Sequence, residues 1–324
     1  MGDPAGIGPE VIARAWERRS AERLPPFVVI GDARAIAAVW AGPVELVDGV
    51  DDVPAVFARA VPVLSVADGG TIAPGVPDLD GARCALQSLE VAVGLVRSGA
   101  ARALVTGPVS KAQLYQVGFT HPGQTEFVAE RCGVTAANAV MMLAGPGLRV
   151  VPLTVHVPLA AVPGLLTVEL ILAKARVTAR GLRRNFGIAA PRLAFAGLNP
   201  HAGEGGALGR EEIDVMAPAI AQLVAEGIAA SGPFAADGLF TARARADYDA
   251  ALCPTHDQAL IPIKTLHFDD GVNITLGLPI VRTSPDHGTA FGIAGRDRAN
   301  PGATIAAIRM AGEAAERRAA AGCG

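Results

Sequence analysis

Of the six histidines in this 324-residue chain, three occupy equivalent positions. His156 follows the apolar run Val150–Val155, His201 follows Leu193–Leu198 through Asn199-Pro200, and His256 follows Ala250–Cys253. Imidazole is the commonest side-chain metal ligand, and three neutral imidazoles leave a position open on an ion where a substrate oxygen can bind and be polarised. The three are far apart in sequence, so only the fold can bring them together. The residues alone leave open that they are separate core or surface histidines, as His121, His267 and His287 illustrate.

Lys264, Asn273 and Arg282 fall between His256 and His287. Two cations and an amide suit a phosphate monoester, with Arg able to form paired hydrogen bonds; a solvated face is the alternative. Arg149 and Arg192 open strands and are expected to be solvated. In Pro122-Gly123-Gln124-Thr125-Glu126, Thr125 is expected to cap a helix Glu126–Arg131 that ends at Gly133. The N-terminus of that helix would offer free N–H groups to an anion, although capping without a ligand is the commoner use. The segment Gly2-Asp3-Pro4-Ala5-Gly6-Ile7-Gly8-Pro9-Glu10 is a glycine-rich loop leading into a helical run Val11–Arg19, with Pro9 suited to the first turn. It could cradle a ligand or be a tight turn, and its spacing matches neither the dinucleotide fingerprint nor a P-loop. The run His287-Gly288-Thr289-Ala290-Phe291-Gly292-Ile293-Ala294-Gly295, followed by Ala299-Asn300-Pro301, resembles the loop with which isopropylmalate and isocitrate dehydrogenases hold the adenosine part of NAD(P).

These residues need a scaffold, and short β-branched runs alternating with stretches of helical period predict an α/β fold. Phe27–Ile30 precedes Ala33–Trp40, and Ala103–Thr106 precedes Lys111–Val117. Further strands are expected at Val150–Val155, Arg192–Leu198, Tyr248–Cys253 and Asn273–Leu276. In open α/β sheets ligands gather at the carboxyl ends of strands. The Ala-rich end, Ala311–Gly324, reads as a helix fraying into a short tail.

Composition narrows the function classes. A net charge of −3 provides no basic field for nucleic acid or an anionic membrane, so any phosphate must be caught locally. Cys84, Cys132, Cys253 and Cys323 form no CxxC pair and suggest neither a disulfide framework nor a zinc finger. Mean hydropathy is +0.36, yet Gly, Pro and charge interrupt every apolar run before it could span a bilayer. Asp3 and Glu10 stand where a signal peptide would be basic and apolar, so a cytoplasmic location is expected.

Seven stretches carry a family resemblance: GDPAGIGPE at the start, TGPVSK (Thr106–Lys111), GQTEF (Gly123–Phe127), NPHAGEGG (Asn199–Gly206), HDQALIPIK (His256–Lys264), GVNITLGLP (Gly271–Pro279) and RTSPDHGTA (Arg282–Ala290). The sequence resembles the 4-hydroxythreonine-4-phosphate dehydrogenase family. The resemblance implies two α/β/α lobes, isopropylmalate/isocitrate dehydrogenase-like, with an active-site cleft between them. The first would comprise residues 1–122 and 283–324, and the second residues 123–282. It also implies a homodimer with shared active sites. His156, His201 and His256 match the family's metal ligands, implying one divalent ion: zinc, magnesium or cobalt. Gln124, Thr125, Lys264, Asn273 and Arg282 take the substrate-contacting places. His287, Gly288, Thr289, Ala290, Gly295 and Asn300 are the candidates for NAD or NADP. Asp237 and Asp257 are candidates for a catalytic proton acceptor or for partners of the metal-binding imidazoles.

The implied reaction is NAD(P)-dependent oxidation of the C3 hydroxyl of 4-phosphooxy-L-threonine, followed by decarboxylation to 3-amino-2-oxopropyl phosphate, in pyridoxine 5'-phosphate biosynthesis. Two departures stand out: Gln124 replaces the histidine of GHTEF, and the family's apolar strand before GDPAGIGPE is missing, which predicts a native start upstream of Met1. The rival readings are a paralogue acting on 4-phosphothreonate, phosphoerythronate or a ring diol, a metal-dependent phosphohydrolase, and a non-catalytic phosphate-binding protein.

Overall fold

The computed structural model describes residues 1–66 and 68–322; Cys323 lies outside the described residues. Among them are the strands β1 (Val29–Gly31), β2 (Val44–Leu46), β3 (Val61–Ser65), β4 (Ala103–Val105), β5 (Val140–Gly145), β6 (Leu148–Pro152), β7 (Arg192–Ala196), β8 (Ala229–Phe234), β9 (Ala250–Cys253), β10 (Val272–Leu276) and β11 (Val281–Pro285). The chain divides into two compact units, Met1–Gly133 with Ile280–Ala315, and Val134–Pro279 with a short C-terminal piece that begins at Glu316. Thr125 and Arg282, expected in the second lobe, therefore lie in the first unit.

In the first unit β3 is the middle strand of a parallel sheet, paired with β1 through Val29↔Val63 and with β2 through Val44↔Val61. The β-branched residues that favour the pleated backbone also fill the core: Val61 and Val63 pack with Trp16, Ile36 and Phe57. The Trp16 indole keeps its polar atom satisfied by donating to the Phe57 carbonyl at 2.9 Å. A second parallel pair joins β4 to β11, with Ala103 opposite Val281.

The second unit holds a sheet in the order β10-β5-β6-β9-β7-β8. Pairing is antiparallel from β10 to β6 and parallel from β6 through β9 and β7 to β8. Its central residues Leu143, Leu193, Phe195 and Leu252 are fully buried. The strand β5, VMMLAG, is a continuous apolar run, for which periodicity cannot separate strand from buried helix. The helix Val168–Phe186 opens with the Thr167 hydroxyl accepting from Leu170 N and closes at Gly187 in the left-handed region. No helix among the described residues is long and apolar enough to cross a membrane.

Arg149 corrects one expectation. It is half-buried rather than solvated: its guanidinium stands 4.8 Å over the Phe186 ring, and Nη1 donates to the Asp249 carbonyl at 3.2 Å. The extended stem covers apolar surface while the head finds an acceptor and an aromatic face. Arg192 is exposed as expected and pairs with Asp249.

Lys174 lies in the helix Val168–Phe186, where Nζ donates to the Pro152 carbonyl at 3.2 Å and burial lowers its pKa to about 8. Below the folded pKa both folded and unfolded chains hold the proton, and the cost of burying the ammonium is fully present. Between there and the unfolded value of about 10.4 the folded chain sheds the proton first, so stability from this group rises with pH. Lys174→Met removes that rise. Urea midpoints of both proteins at about pH 7 and about pH 10 check it, with the variant's advantage shrinking at the higher pH; a gap independent of pH would refute the assignment.

Candidate active site

The register of two parallel strands brings two of the three histidines together. Pro152 in β6 lies opposite Cys253 in β9. Beyond the strand ends the ladder continues, with Leu153 N donating to the Cys253 carbonyl at 2.7 Å and the Thr154 hydroxyl to the Pro254 carbonyl at 2.7 Å. Two residues further along each segment stand His156 and His256, their ring centroids 5.6 Å apart. His156 has φ 54°, a left-handed conformation that turns the chain sharply after Thr154. His256 is the first residue of the helix His256–Leu266, and a capping box between Thr255 and Gln258 fixes that helix start. Gln258 also donates from Nε2 to the Gly197 carbonyl at 2.8 Å, tying the helix to the segment after β7.

A carboxylate sits on the Nδ1 side of His256, with Asp257 Oδ1 at 2.8 Å, which favours the proton on Nδ1 and leaves the Nε2 lone pair available to a ligand. The two rings border a cavity of about 600 Å³ that Thr154, Asp237, Phe240 and Asp257 also line. Asp237 is exposed there and accepts from Gly238 N at 3.0 Å.

His201 leaves the third adjacent strand, β7, but does not join the pair. Residues 201 to 205 all take left-handed dihedrals: His201 (φ 52°), Ala202 (51°), Gly203 (80°), Glu204 (44°) and Gly205 (64°). Such a run disfavours L side chains by roughly 1–2 kcal/mol per residue, so it needs external support. Glu212, 3% exposed, supplies it by accepting from Asn199 N at 2.7 Å and Asn199 Nδ2 at 3.0 Å. The turn carries His201 outward, its side chain 69% exposed, with Glu204 Oε2 on its Nδ1 at 2.9 Å. Among the described residues no group of three or more His, Cys, Asp or Glu converges as metal ligands would. Glu204 and Glu212 escaped the sequence reading; the spacing of Glu204 three residues after His201 was the available signal.

In the first unit Arg282, on β11, is 4% exposed. Nη2 donates to the Thr106 hydroxyl at 2.8 Å and Nη1 to the Thr125 hydroxyl at 3.2 Å. Burial lowers its pKa to about 10, with Glu126 opposing that shift, so it stays cationic at neutral pH. Thr125 is not the helix cap. The helix runs from Gln124 to Arg131 with Gly123 at its N-cap and no side-chain cap. Thr125 lies inside the first turn and its hydroxyl is taken by Arg282. Gln124 donates from Nε2 to the Gly107 carbonyl at 3.1 Å, so the amide that replaces histidine helps hold the TGPVSK loop. Lys264 and Asn273 belong to the second unit. Lys264 is exposed near the end of the helix His256–Leu266. Asn273 Oδ1, on β10, is buried without a partner among the described residues, which suits it to a ligand's donor.

The loop from His287 to Asn300 presents Gly288, Ala290, Gly295 and Asn300 on an exposed face, with Thr289 half-buried. His287 Nε2 is buried without a partner among the described residues, while Nδ1 lies 3.1 Å from the Gly288 carbonyl. An unmatched imidazole nitrogen beside small residues fits a loop that receives a polar ligand. Behind it lies the glycine-rich N-terminal segment, whose residues 2–11 are all buried. Ile7 N donates to the Thr289 carbonyl at 2.9 Å, and Gly6 comes so close that a Cβ there would stand 3.1 Å from the same oxygen. The segment therefore backs the second loop.

Residues 23–311 match the family described as pyridoxal phosphate biosynthetic protein PdxA. The chain belongs to the PdxA family. It is 59% identical over 318 residues to the 4-hydroxythreonine-4-phosphate dehydrogenase of Zymomonas mobilis, covering 98% of this chain and 95% of that protein. Against the enzyme of the same name from Erythrobacter litoralis the identity is 56%, with 98% and 96% covered. The crystal structure of 4-hydroxythreonine-4-phosphate dehydrogenase from Klebsiella pneumoniae superposes with a TM-score of 0.85 at 35% identity, covering 97% of this chain and 98% of that one. This PdxA chain thus carries the mixed α/β fold expected from its alternating pattern.

In this PdxA chain the capping box makes Thr255 the anchor of His256. Thr255→Ala should lower stability by about 0.5–2 kcal/mol, as loss of an N-cap does. Denaturant titration checks the cost; a variant as stable as the wild type would show that the box does not hold the helix start.

Proposed function

We propose that this chain is a 4-hydroxythreonine-4-phosphate dehydrogenase that oxidises and decarboxylates 4-phosphooxy-L-threonine to 3-amino-2-oxopropyl phosphate. The observation that carries the reading is the meeting of His156 and His256 at the ends of β6 and β9, beside a cavity, in a PdxA-family chain. The donor chemistry fits a divalent ion, since the Nδ1 atoms of His256 and His201 both face carboxylates and their Nε2 atoms remain available. His156 and His256 would hold the ion, and His201, carried outward by its turn, would reach the site of a second copy, so that His201 of the partner subunit completes the set.

A bound cation would supply Lewis-acid polarisation of the C3 oxygen, and a bound NAD or NADP would supply the hydride acceptor. The protein's own groups bind and orient. Arg282, held by Thr106 and Thr125, provides a fixed cation for the phosphate, with Lys264 and Asn273 as further substrate contacts; binding remote from C3 serves to place it. Gln124 contributes a neutral amide where a histidine would bring a titratable one. Asp257 is engaged with His256, so Asp237, open to the cavity, is assigned as acceptor of the hydroxyl proton at its carboxylate. His287, Gly288, Thr289, Ala290, Gly295 and Asn300 are assigned to the nucleotide. A homodimer in the cytoplasm remains part of the proposal.

Formation of NAD(P)H from 4-phosphooxy-L-threonine, run beside 4-phosphothreonate, tests the function. Turnover of the amino acid with phosphate retained is expected; turnover of 4-phosphothreonate alone would transfer the reading to the paralogous activity, and phosphate release without NAD(P)H would indicate a hydrolase. Arg282→Met should raise KM about ten- to a hundredfold through loss of charged hydrogen bonds, and unchanged kinetics would remove Arg282 from the phosphate site. His201→Ala and His256→Ala should each be inactive alone. Mixing the two under conditions that exchange subunits should recover activity, because one hybrid site then holds all three imidazoles; no recovery would argue against a shared site.

A further inference from the structure

The N-terminal glycine-rich segment has no exposed face with which to cradle a ligand, yet it carries a buried carboxylate that no step above uses. Glu10 is 2% exposed and lies in the helix Gly8–Glu17. Its Oε2 accepts from Gly295 N at 3.0 Å and its Oε1 from Ala299 N at 3.0 Å. Each carboxylate oxygen thus takes one backbone N–H, from positions four residues apart in a segment with no regular secondary structure. Buried backbone N–H groups require acceptors, and in this loop Glu10 supplies what a neighbouring strand would supply in a sheet.

One helical turn later Arg14 forms an ion pair with Asp297, the residue midway between the two, which has φ 56°. Residues spaced four apart share a helix face, so Glu10 and Arg14 address the loop together. Ile7 and Val11 pack from the same side against Ala294, with Ile293 and Ala299 beside them. The curve of the chain from Gly295 to Asn300 is therefore set by one helix through two backbone bonds, one ion pair and an apolar contact.

We infer that Glu10 is the positioning residue of the nucleotide loop, holding Gly295 and Asn300 in the shape that receives NAD(P). This rests on the dehydrogenase reading given above. Glutamine at position 10 keeps the size but replaces one acceptor oxygen with an NH2 group, which confronts a backbone N–H with another donor. The hydrogen bonds of the Glu10 side chain go to the nucleotide loop, so its loss is expected to act on cofactor affinity.

The test is direct titration of NADH and NADPH, without substrate, into wild type, Glu10→Gln and Arg14→Gln, followed by fluorescence or calorimetry. Glu10→Gln should weaken binding of the preferred cofactor about tenfold, and Arg14→Gln, an exposed pair, about two- to fivefold. In turnover, KM for the cofactor should rise for both variants, with KM for the phosphorylated substrate and kcat at saturating cofactor unchanged. A general loss of packing would instead move all three. If the wild type binds neither nucleotide, the dehydrogenase reading itself fails. If the wild type binds and Glu10→Gln binds equally well, the positioning role is overturned while that reading stands. Should Glu10→Gln not fold, Arg14→Gln decides, and an unchanged dissociation constant there overturns the inference.

Discussion

Parallel strands leave a sheet with all their carboxyl ends on one edge, and the chemistry of the second unit depends on that constraint. β6, β9 and β7 are neighbours, and each is followed within a few residues by one of the three histidines. The pairing of Pro152 with Cys253 sets His156 and His256 level with one another. A slip of one residue would send every side chain of the displaced strand to the opposite face of the sheet, so the apolar pattern that fixes the register also fixes the imidazoles. The capping box at Thr255 and the Gln258 bond to Gly197 transmit that register from the strand into the helix that begins with His256.

Away from the sheets, the same task falls to buried carboxylates. Glu10 gives its two oxygens to two backbone N–H groups that have no strand to pair with, Glu212 gives one to the Asn199 backbone N–H and the other to the Asn199 side-chain amide, and each lies almost wholly out of water. A buried acid is tolerated only where its hydrogen bonds are met, which makes the surrounding backbone geometry exacting. Arg282 is the cationic counterpart, its guanidinium held by two threonine hydroxyls of the first unit, Thr106 from the loop after β4 and Thr125 from the first turn of the helix Gln124–Arg131.

Much of this was legible from residue types. Of the strands ahead of the three histidines, the one before His156 showed as a β-branched run and those before His201 and His256 as short apolar runs of Ala, Leu and Phe or Cys, and the α/β class followed from the alternation of such runs with helical stretches. The ends were less legible, because a strand stops where pairing stops: Val155 and Leu198 are as apolar as the strand residues before them but lie past the ladder. The strands β2, β3, β5, β8 and β11 escaped, the last three for different reasons. β5 has no alternation, β8 holds Ser-Gly-Pro, and β11 carries the very residues, Arg282 to Ser284, that read as polar chemistry. Thr125 was misassigned as a cap since a threonine before a helical run looks the same whether it ends the loop or sits in the first turn; Gly123, with an extended backbone, took the capping position. The role of Glu10 could not be read at all, for its partners are backbone groups 285 and 289 residues away, invisible to any local pattern.

The left-handed turn at His201 also restricts how this sequence can drift. A Cβ on Gly203 would stand 2.7 Å from Glu212 Oε2 and 3.0 Å from the Gly209 carbonyl. Shortening Glu212 would relieve only the first of these contacts, and would release Asn199 N and with it the support of the turn. Neither position can change alone, and the joint change passes through an intermediate that is worse than either end. Positions 203 and 212 are thus bound in epistasis, and a lineage that keeps one is expected to keep both.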